Sequence, residues 1–240
     1  MIPVALGEAP WQTILPPAVR ERTLSLDYFI VEEPKSARLA IKRLGIERPL
    51  QEIDIRALPR SDVVEALRAL LEPVLHGRSA GLMSEAGCPG VADPGAALVR
   101  IAHRRGVRVV PLVGPSSLLL ALMASGMNGQ SFAFHGYLPV KDDERRRRIE
   151  ELERESARRR RTQIFIETPY RNKALFSALV ATCQPETLLC VGRELTLPGE
   201  FVATRSIAEW RRGPVPEMHR RPTVFLLLAG ERSSAHAETQ

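Results

Sequence analysis

Apolar positions along this 240-residue chain gather in short blocks separated by turn-forming residues. Residues 1–6 (MIPVAL), 80–83 and 107–112 read as strands, with an amphipathic helix over 94–105 between the last two. That is β-α-β alternation, the pattern of an α/β fold. After Pro115 the alternation resumes: a helix to Ser125, a strand over 132–138, a charged helix, then strands at 163–166, 188–191 and 224–228. The pattern predicts two α/β domains in tandem, 1–114 and 115–230, followed by a tail, 231–240, which lacks apolar periodicity and is expected to be disordered. No internal repeat of solenoid length is present.

The block at 79–83 runs into SEAGCPGVADP (84–94), where glycines and prolines stand between a strand and a helix. Glycine permits positive φ and close approach of a ligand to the main chain, while proline fixes the rest of the loop. An ordinary crossover needs only one or two such residues. A loop this punctuated, at a strand end of an α/β sheet, is expected to bind a ligand. A second punctuation, PLVGPSS (111–117), again closes a strand and opens a helix, placing hydroxyls and free amides at a helix N-terminus suited to carboxylates or phosphates. FHGYLP (134–139) follows as a bend into the second domain.

Hydrophobic residues at 44% and charged residues at 26% are ordinary globular usage and exclude a fibrous or wholly disordered chain. The longest apolar run, around 118–124, is far shorter than the roughly 20 residues that span a bilayer. With no charged leader and cleavage site at the start, a cytoplasmic protein is expected. Cys88, Cys183 and Cys190 form neither an even disulfide set nor a close-spaced metal motif, so a reducing compartment and no metal are expected. Lys and Arg outnumber Asp and Glu by 34 to 28, which favours polyanionic partners. RRRRIEELERESARRRR (145–161) sets Glu150 four residues before Arg154 and Glu155 four before Arg159, the favourable order for helix pairs. It reads as a solvated helix, whose alternative use is a phosphate-binding surface for RNA.

Together these blocks resemble the tetrapyrrole methylase superfamily, the class III S-adenosylmethionine-dependent methyltransferases, and within it the branch that 2′-O-methylates cytidine in small-subunit ribosomal RNA. The resemblance spans nearly the whole chain: SEAGCPGVADPG (84–95) is similar to SDAGTPxxSDPG, PLVGPSS to PLPGPSA, GYLP (136–139) to GFLP, ETPYR (167–171) to ESPHR, and GRELT (192–196), with Glu200 after it, to ARELTK. IPVALG (2–7) resembles the first-strand loop, with Met1 inside that strand so that translation is expected to begin upstream. EEPKSAR (32–38) resembles the acidic ED-T-R element. Glu85, Cys88 and Ala92 stand where the pattern has Asp, Thr and Ser, and Pro34 interrupts the acidic element, which marks a divergent subgroup.

The resemblance implies S-adenosylmethionine in an interdomain cleft. Its methionine half would lie against Pro3, Gly87, Cys88, Pro89, Val91 and Ala92 with Ser116 and Ser117; its adenosine would lie against Thr168 or Pro169, Leu195, Pro222 and Thr223. A homodimer and a ribosomal RNA substrate are implied too. Methyl transfer to a hydroxyl calls for alignment and a general base, for which Glu85, Glu32 and Glu33 are the candidates. Each also has a plain reading, Glu85 as a loop cap and Glu32-Glu33 as a solvated turn. Arg38, Arg171 and Arg193 are candidates for clamping substrate phosphates or, equally, for pairing with Glu33, Glu167 and Glu194 as structural links, the reading favoured for Arg193 with Glu194. His135 is expected to pack through hydrogen bonds, and Cys88 to have no nucleophilic role. A methyltransferase of a small molecule such as a tetrapyrrole, and a non-catalytic S-adenosylmethionine binder, are the competing readings.

Overall fold

The computed structural model describes residues 1–59, 61 and 63–230, so the tail expected to be disordered lies outside the described residues. The chain divides into two compact units, Met1–Ser116 and the rest from Ser117.

The first unit runs α1 (Pro17–Leu24), β1 (Tyr28–Val31), α2 (Pro34–Arg43), β2 (Asp54–Ala57), α3 (Val64–Leu75), β3 (Gly81–Met83) and α4 (Ala96–Arg104). The strands form a parallel sheet in the order β2-β1-β3. Every residue of β1 is buried, because the sheet is covered on both faces. Alternation sends Tyr28 and Ile30 towards Leu67, Leu70 and Leu71 of α3 and Leu98, Ile101 and Ala102 of α4, while Phe29 and Val31 pack with Ala37 and Ile41 of α2. β2 reads DIRA and shows no apolar period, being partly exposed at the sheet edge.

Two expected strands of this unit are not regular strands. The amide of Ile2 donates to the Leu82 carbonyl at 2.8 Å, but Pro3 has no N–H to continue the ladder, and Val4 instead makes an isolated antiparallel bridge with Gly87. Over 107–112, Pro111 interrupts in the same way, leaving the Leu112 amide on the Met1 carbonyl at 3.0 Å. Both segments extend the sheet beyond β3 without joining it as ladders. Helix α4 is where the amphipathic pattern predicted it, shorter by two residues at its start.

The second unit comprises α5 (Ser117–Ser125), β4 (Phe132–Tyr137), α6 (Asp142–Arg159), β5 (Thr162–Ile166), α7 (Asn172–Thr182), β6 (Leu188–Arg193), β7 (Phe201–Ser206), α8 (Ile207–Arg212) and β8 (Thr223–Leu228). Its sheet has the order β4-β5-β8-β6-β7, parallel between β4 and β5 and antiparallel elsewhere. Ile149 and Leu152 of α6, Leu175, Phe176 and Leu179 of α7, and Ile207 and Trp210 of α8 pack with Phe165, Leu189, Val191, Phe225 and Leu227. Ala121 of α5 touches Gly192 of β6, where a β-carbon would meet it at 3.4 Å.

The charged helix is ordered by its own pairs and by one apolar stripe. Asp142, Asp143 and Glu144 fill its first turn, Arg158 and Arg159 its last, which complements the helix dipole. Glu155 pairs with Arg159 at 3.7 Å, as its spacing predicts, and with Arg161 at 3.2 Å.

Candidate functional site

In the first unit the Gly/Pro-rich loop is held by the chain start. Val4 and Gly87 exchange amide-to-carbonyl hydrogen bonds at 2.8 and 2.9 Å, and the Cys88 thiol donates to the Pro115 carbonyl at 3.3 Å. Gly114 is obligatory, since a β-carbon there would collide with the Pro3 ring. These contacts bring Pro3, Gly87 and Cys88 beside the segment that leads to Ser116. Pro89 is buried, Val91 and Ala92 are exposed, and Ser116 and Ser117 are half-buried.

Gly87, Gly90 and Gly95 take positive φ, and so does Ala92 at 66°, a conformation that costs a residue with a β-carbon about 1 kcal/mol. Among the described residues the amides of Cys88, Gly90 and Ala92 donate no hydrogen bond. Unclaimed main-chain donors in a loop of small residues are what a zwitterionic or anionic ligand needs. A cavity of about 220 Å³ lies alongside, bordered by Pro3 to Ala9, Ser36, Leu39 and Arg43 of α2, Met83, Glu85 and Ala86. A larger cavity in this unit, about 490 Å³ and lined by α3, α4 and 105–110, shares none of the loop residues 84–95.

Three carboxylates meet at the loop. Glu32 continues β1, its amide bonded to the Met83 carbonyl at 3.1 Å, and its carboxylate accepts the Glu85 amide at 3.1 Å. Burial, with Glu32 and Glu85 adding repulsion, pushes Asp93 up to about 6 even though Ser84 hydrogen-bonds its carboxylate. Sequence reasoning passed over Asp93, because its ADP context reads as a turn and only the fold brings Glu32 to it. Glu33 is engaged elsewhere, capping α2 by accepting the Lys35 amide at 3.1 Å. The Cys88 thiol is pushed up by burial and by Asp93, which keeps it protonated. Arg38 is exposed and forms no ion pair among the described residues, so the Glu33–Arg38 link is not made.

In the second unit the remaining candidates gather at one end of the sheet. The segment after β5 turns at Thr168–Arg171, where the Arg171 amide donates to the Thr168 carbonyl at 2.8 Å and its guanidinium grips the buried Glu167 carboxylate at 2.7 Å. Arg171 is thus an ion-pair partner first. The segment after β6 passes through Glu194 and Thr196, both at positive φ, with buried Leu195 between them, and the Glu194 amide donates to the Pro222 carbonyl at 2.9 Å. Arg221 pairs with Glu194 at 2.5 Å, while Arg193 stands 3.7 Å from the same carboxylate. Thr223 is buried with its hydroxyl on the Arg221 carbonyl at 2.9 Å; Pro222 is exposed and Pro169 half-buried. His135 hydrogen-bonds Gln163 at 2.6 Å and Arg148 at 3.3 Å, the packing role expected of it.

On α6, Arg147, Arg154 and Arg158 are exposed without ion pairs among the described residues. At 3.6 residues per turn they fall within an arc of roughly 40°, one stripe of unpaired charge. Among the described residues no His, Cys, Asp and Glu cluster suits a metal ion, and no helix is long and apolar enough to cross a membrane.

No protein-family model matches the chain. Curated relatives do. The ribosomal RNA small subunit methyltransferase I of Xylella fastidiosa is 31% identical over 214 residues, which cover 89% of this chain and 75% of the relative. That of Mycobacterium tuberculosis is 34% identical over 204 residues, 83% and 68%. That of Mesorhizobium japonicum is 36% identical over 187 residues, 78% and 60%, so this chain spans only part of the relatives' length. Among solved structures, the methyltransferase CobJ aligns over 94% of this chain and 91% of its own with a TM-score of 0.60 at 19% identity. Cobalt precorrin-4 methyltransferase CbiF gives 89%, 88% and 0.56 at 14% identity. At such identities these two carry the fold alone, the α/β architecture of tetrapyrrole methylases that the motifs predicted. With relatives above 30% identity that it covers by two thirds or more, this chain belongs to the ribosomal RNA small subunit methyltransferase I family, a family of methyltransferases.

Proposed function

We propose that this chain methylates a 2′-hydroxyl of ribosomal RNA with S-adenosylmethionine as donor. The observation that carries the reading is the loop 86–92, whose unclaimed amides can donate to the carboxylate of a methionine moiety and whose small side chains leave room for it. The curated relatives' names supply the substrate class, and the unpaired arginines of α6 agree with a polyanion. The cofactor supplies an electrophilic methyl group on a sulfonium. The chain's part is to hold the acceptor oxygen in line, exclude water and take the hydroxyl proton.

Among Glu32, Glu85 and Asp93, the carboxylate of Asp93 is best poised for that proton, since its raised affinity matches a base working near neutrality. As the bound sulfonium gave up its methyl group to the acceptor oxygen, the Asp93 carboxylate would take the hydroxyl proton. Thr168, Pro169, Leu195, Pro222 and Thr223 are proposed for the adenosine. A cytoplasmic homodimer belongs to the same reading.

Calorimetric titration of S-adenosylmethionine and S-adenosylhomocysteine, followed by labelled-methyl transfer to undermethylated small ribosomal subunits, tests it. Binding with label in RNA is the expected result. Binding without label in RNA moves the acceptor to a small molecule or makes the chain a binder only, and no binding overturns the cofactor assignment. Val91→Arg and Ala92→Trp, both at exposed loop positions, are expected to remove cofactor binding while leaving the unfolding temperature unchanged.

A further inference from the structure

The segment after β5 and the segment before β8 are stitched together from both sides. The Arg220 amide donates to the Pro169 carbonyl at 3.1 Å. The buried Asn172 side chain donates to the Arg221 carbonyl at 2.7 Å and the Met218 carbonyl at 3.4 Å. Arg220 is held at φ 59°, a conformation that a non-glycine residue keeps only where its surroundings impose it. The stitching presents three side chains side by side. The Tyr170 ring is 68% exposed, His219 stands edge-on to it at 6.2 Å and 79°, and the Arg220 guanidinium lies over it at 5.5 Å.

A largely exposed tyrosine on a rigid turn gains nothing for the core. Next to two exposed nitrogen-bearing side chains it has the composition with which proteins stack unpaired bases and neutralise the phosphates beside them. Duplex RNA hides its base faces and could use only the charge.

Resting on the RNA reading above, we propose that Tyr170, His219 and Arg220 form a stacking platform for an unpaired nucleotide of the RNA substrate. Tyr170 supplies the ring on which the base lies, and Arg220 and His219 meet the backbone.

The test is binding of a labelled single-stranded RNA oligonucleotide of mixed sequence, about a dozen nucleotides long to exceed one stacking site, and of the same strand annealed to its complement. It is run on the full chain, Tyr170→Ala, Tyr170→Phe and Arg220→Gly, the last keeping the left-handed backbone. Calorimetric affinity for S-adenosylmethionine and the unfolding temperature are followed in parallel. Tyr170→Ala is expected to weaken single-stranded binding roughly tenfold or more, with duplex binding, cofactor affinity and melting unchanged. Tyr170→Phe restores the affinity, and Arg220→Gly lowers the salt dependence by about one counterion. Unchanged single-stranded affinity in Tyr170→Ala, or a loss of cofactor affinity instead, overturns the platform while the RNA reading stands. An unaltered chain that binds neither RNA form overturns both.

Discussion

The loops at the strand ends of the two units solve one problem by opposite means. In the first unit, 84–95 is shaped by main-chain bonds to the chain start, by glycines at positive φ and by small side chains, and it leaves amides unclaimed. In the second, the segments around 167–172, 193–197 and 217–223 are shaped by side chains: Glu167 with Arg171, Glu194 with Arg221, and Asn172 on two carbonyls. A loop fixed through its backbone keeps its side chains small and its donors free for a ligand. One fixed through its side chains has spent them, and what remains for function is what points outward, such as Tyr170. The first kind fails when a side chain is forced in beneath its backbone, as at Gly114; the second fails when one ion is removed.

That contrast can be broken most forcefully at Gly114. Gly114→Val drives a side chain into the Pro3 ring, and overpacking of this kind costs about 1–3 kcal/mol. A drop in unfolding temperature together with loss of S-adenosylmethionine binding is expected by scanning calorimetry and titration. If Gly114→Val binds the cofactor normally, the chain start does not hold the loop.

Glu167→Gln strikes the second kind. Its side chain is 1% exposed and its partner Arg171 35%, so removal of the charge is expected to cost about 2 kcal/mol, below the range for wholly buried pairs. Urea unfolding measures it, and a cost below about 0.5 kcal/mol would place this pair with surface pairs.

Asp93 gives the comparison a pH axis. Its native affinity for a proton is raised to about 6, above that of an ordinary carboxyl, so the folded state holds the proton more tightly than the unfolded state does. The stability tied to that proton is present at acid pH and is lost as pH climbs through about 6. Asp93→Asn removes the loss, so its melting temperature relative to the unaltered chain is expected to rise with pH. A difference that stays flat across that range shows Asp93 to be an ordinary carboxylate. The same variant is expected to lower the rate of methyl transfer more than cofactor affinity.

The smallest effect is expected at Ala92. Ala92→Gly relieves a positive φ at the expense of unfolded-state entropy, for a net gain of about 0.5 kcal/mol or less in urea unfolding. Cofactor affinity should be unchanged, since the amide remains.

Legibility in the sequence follows the same division. Helices α4, α5 and α6 and strands β3, β5, β6 and β8 announced themselves through local periodicity, and the Gly/Pro loop through its punctuation. β1 escaped notice as a four-residue apolar run with no polar alternation, because both its faces are covered. β2 and β7 are partly exposed and carry mixed residues, so neither period shows. Over 1–6 and 107–112 the apolar content reads as strand, but Pro3 and Pro111 withhold the donors a ladder needs and neither segment forms one.

By itself, then, the sequence determined the α/β class, the place of the Gly/Pro-rich loop and the methyltransferase family, since each is written in residues close along the chain. Only the tertiary structure decided which carboxylates share that loop, that Asn172 ties the segment after β5 to the one before β8, and that Tyr170 stands beside His219 and Arg220. The physical reason is distance along the chain: Glu32 reaches Glu85 across 53 residues and Asn172 reaches Arg221 across 49. No local pattern encodes such pairings, which exist only once β1, β3, β5 and β8 have been placed by burial of their apolar faces.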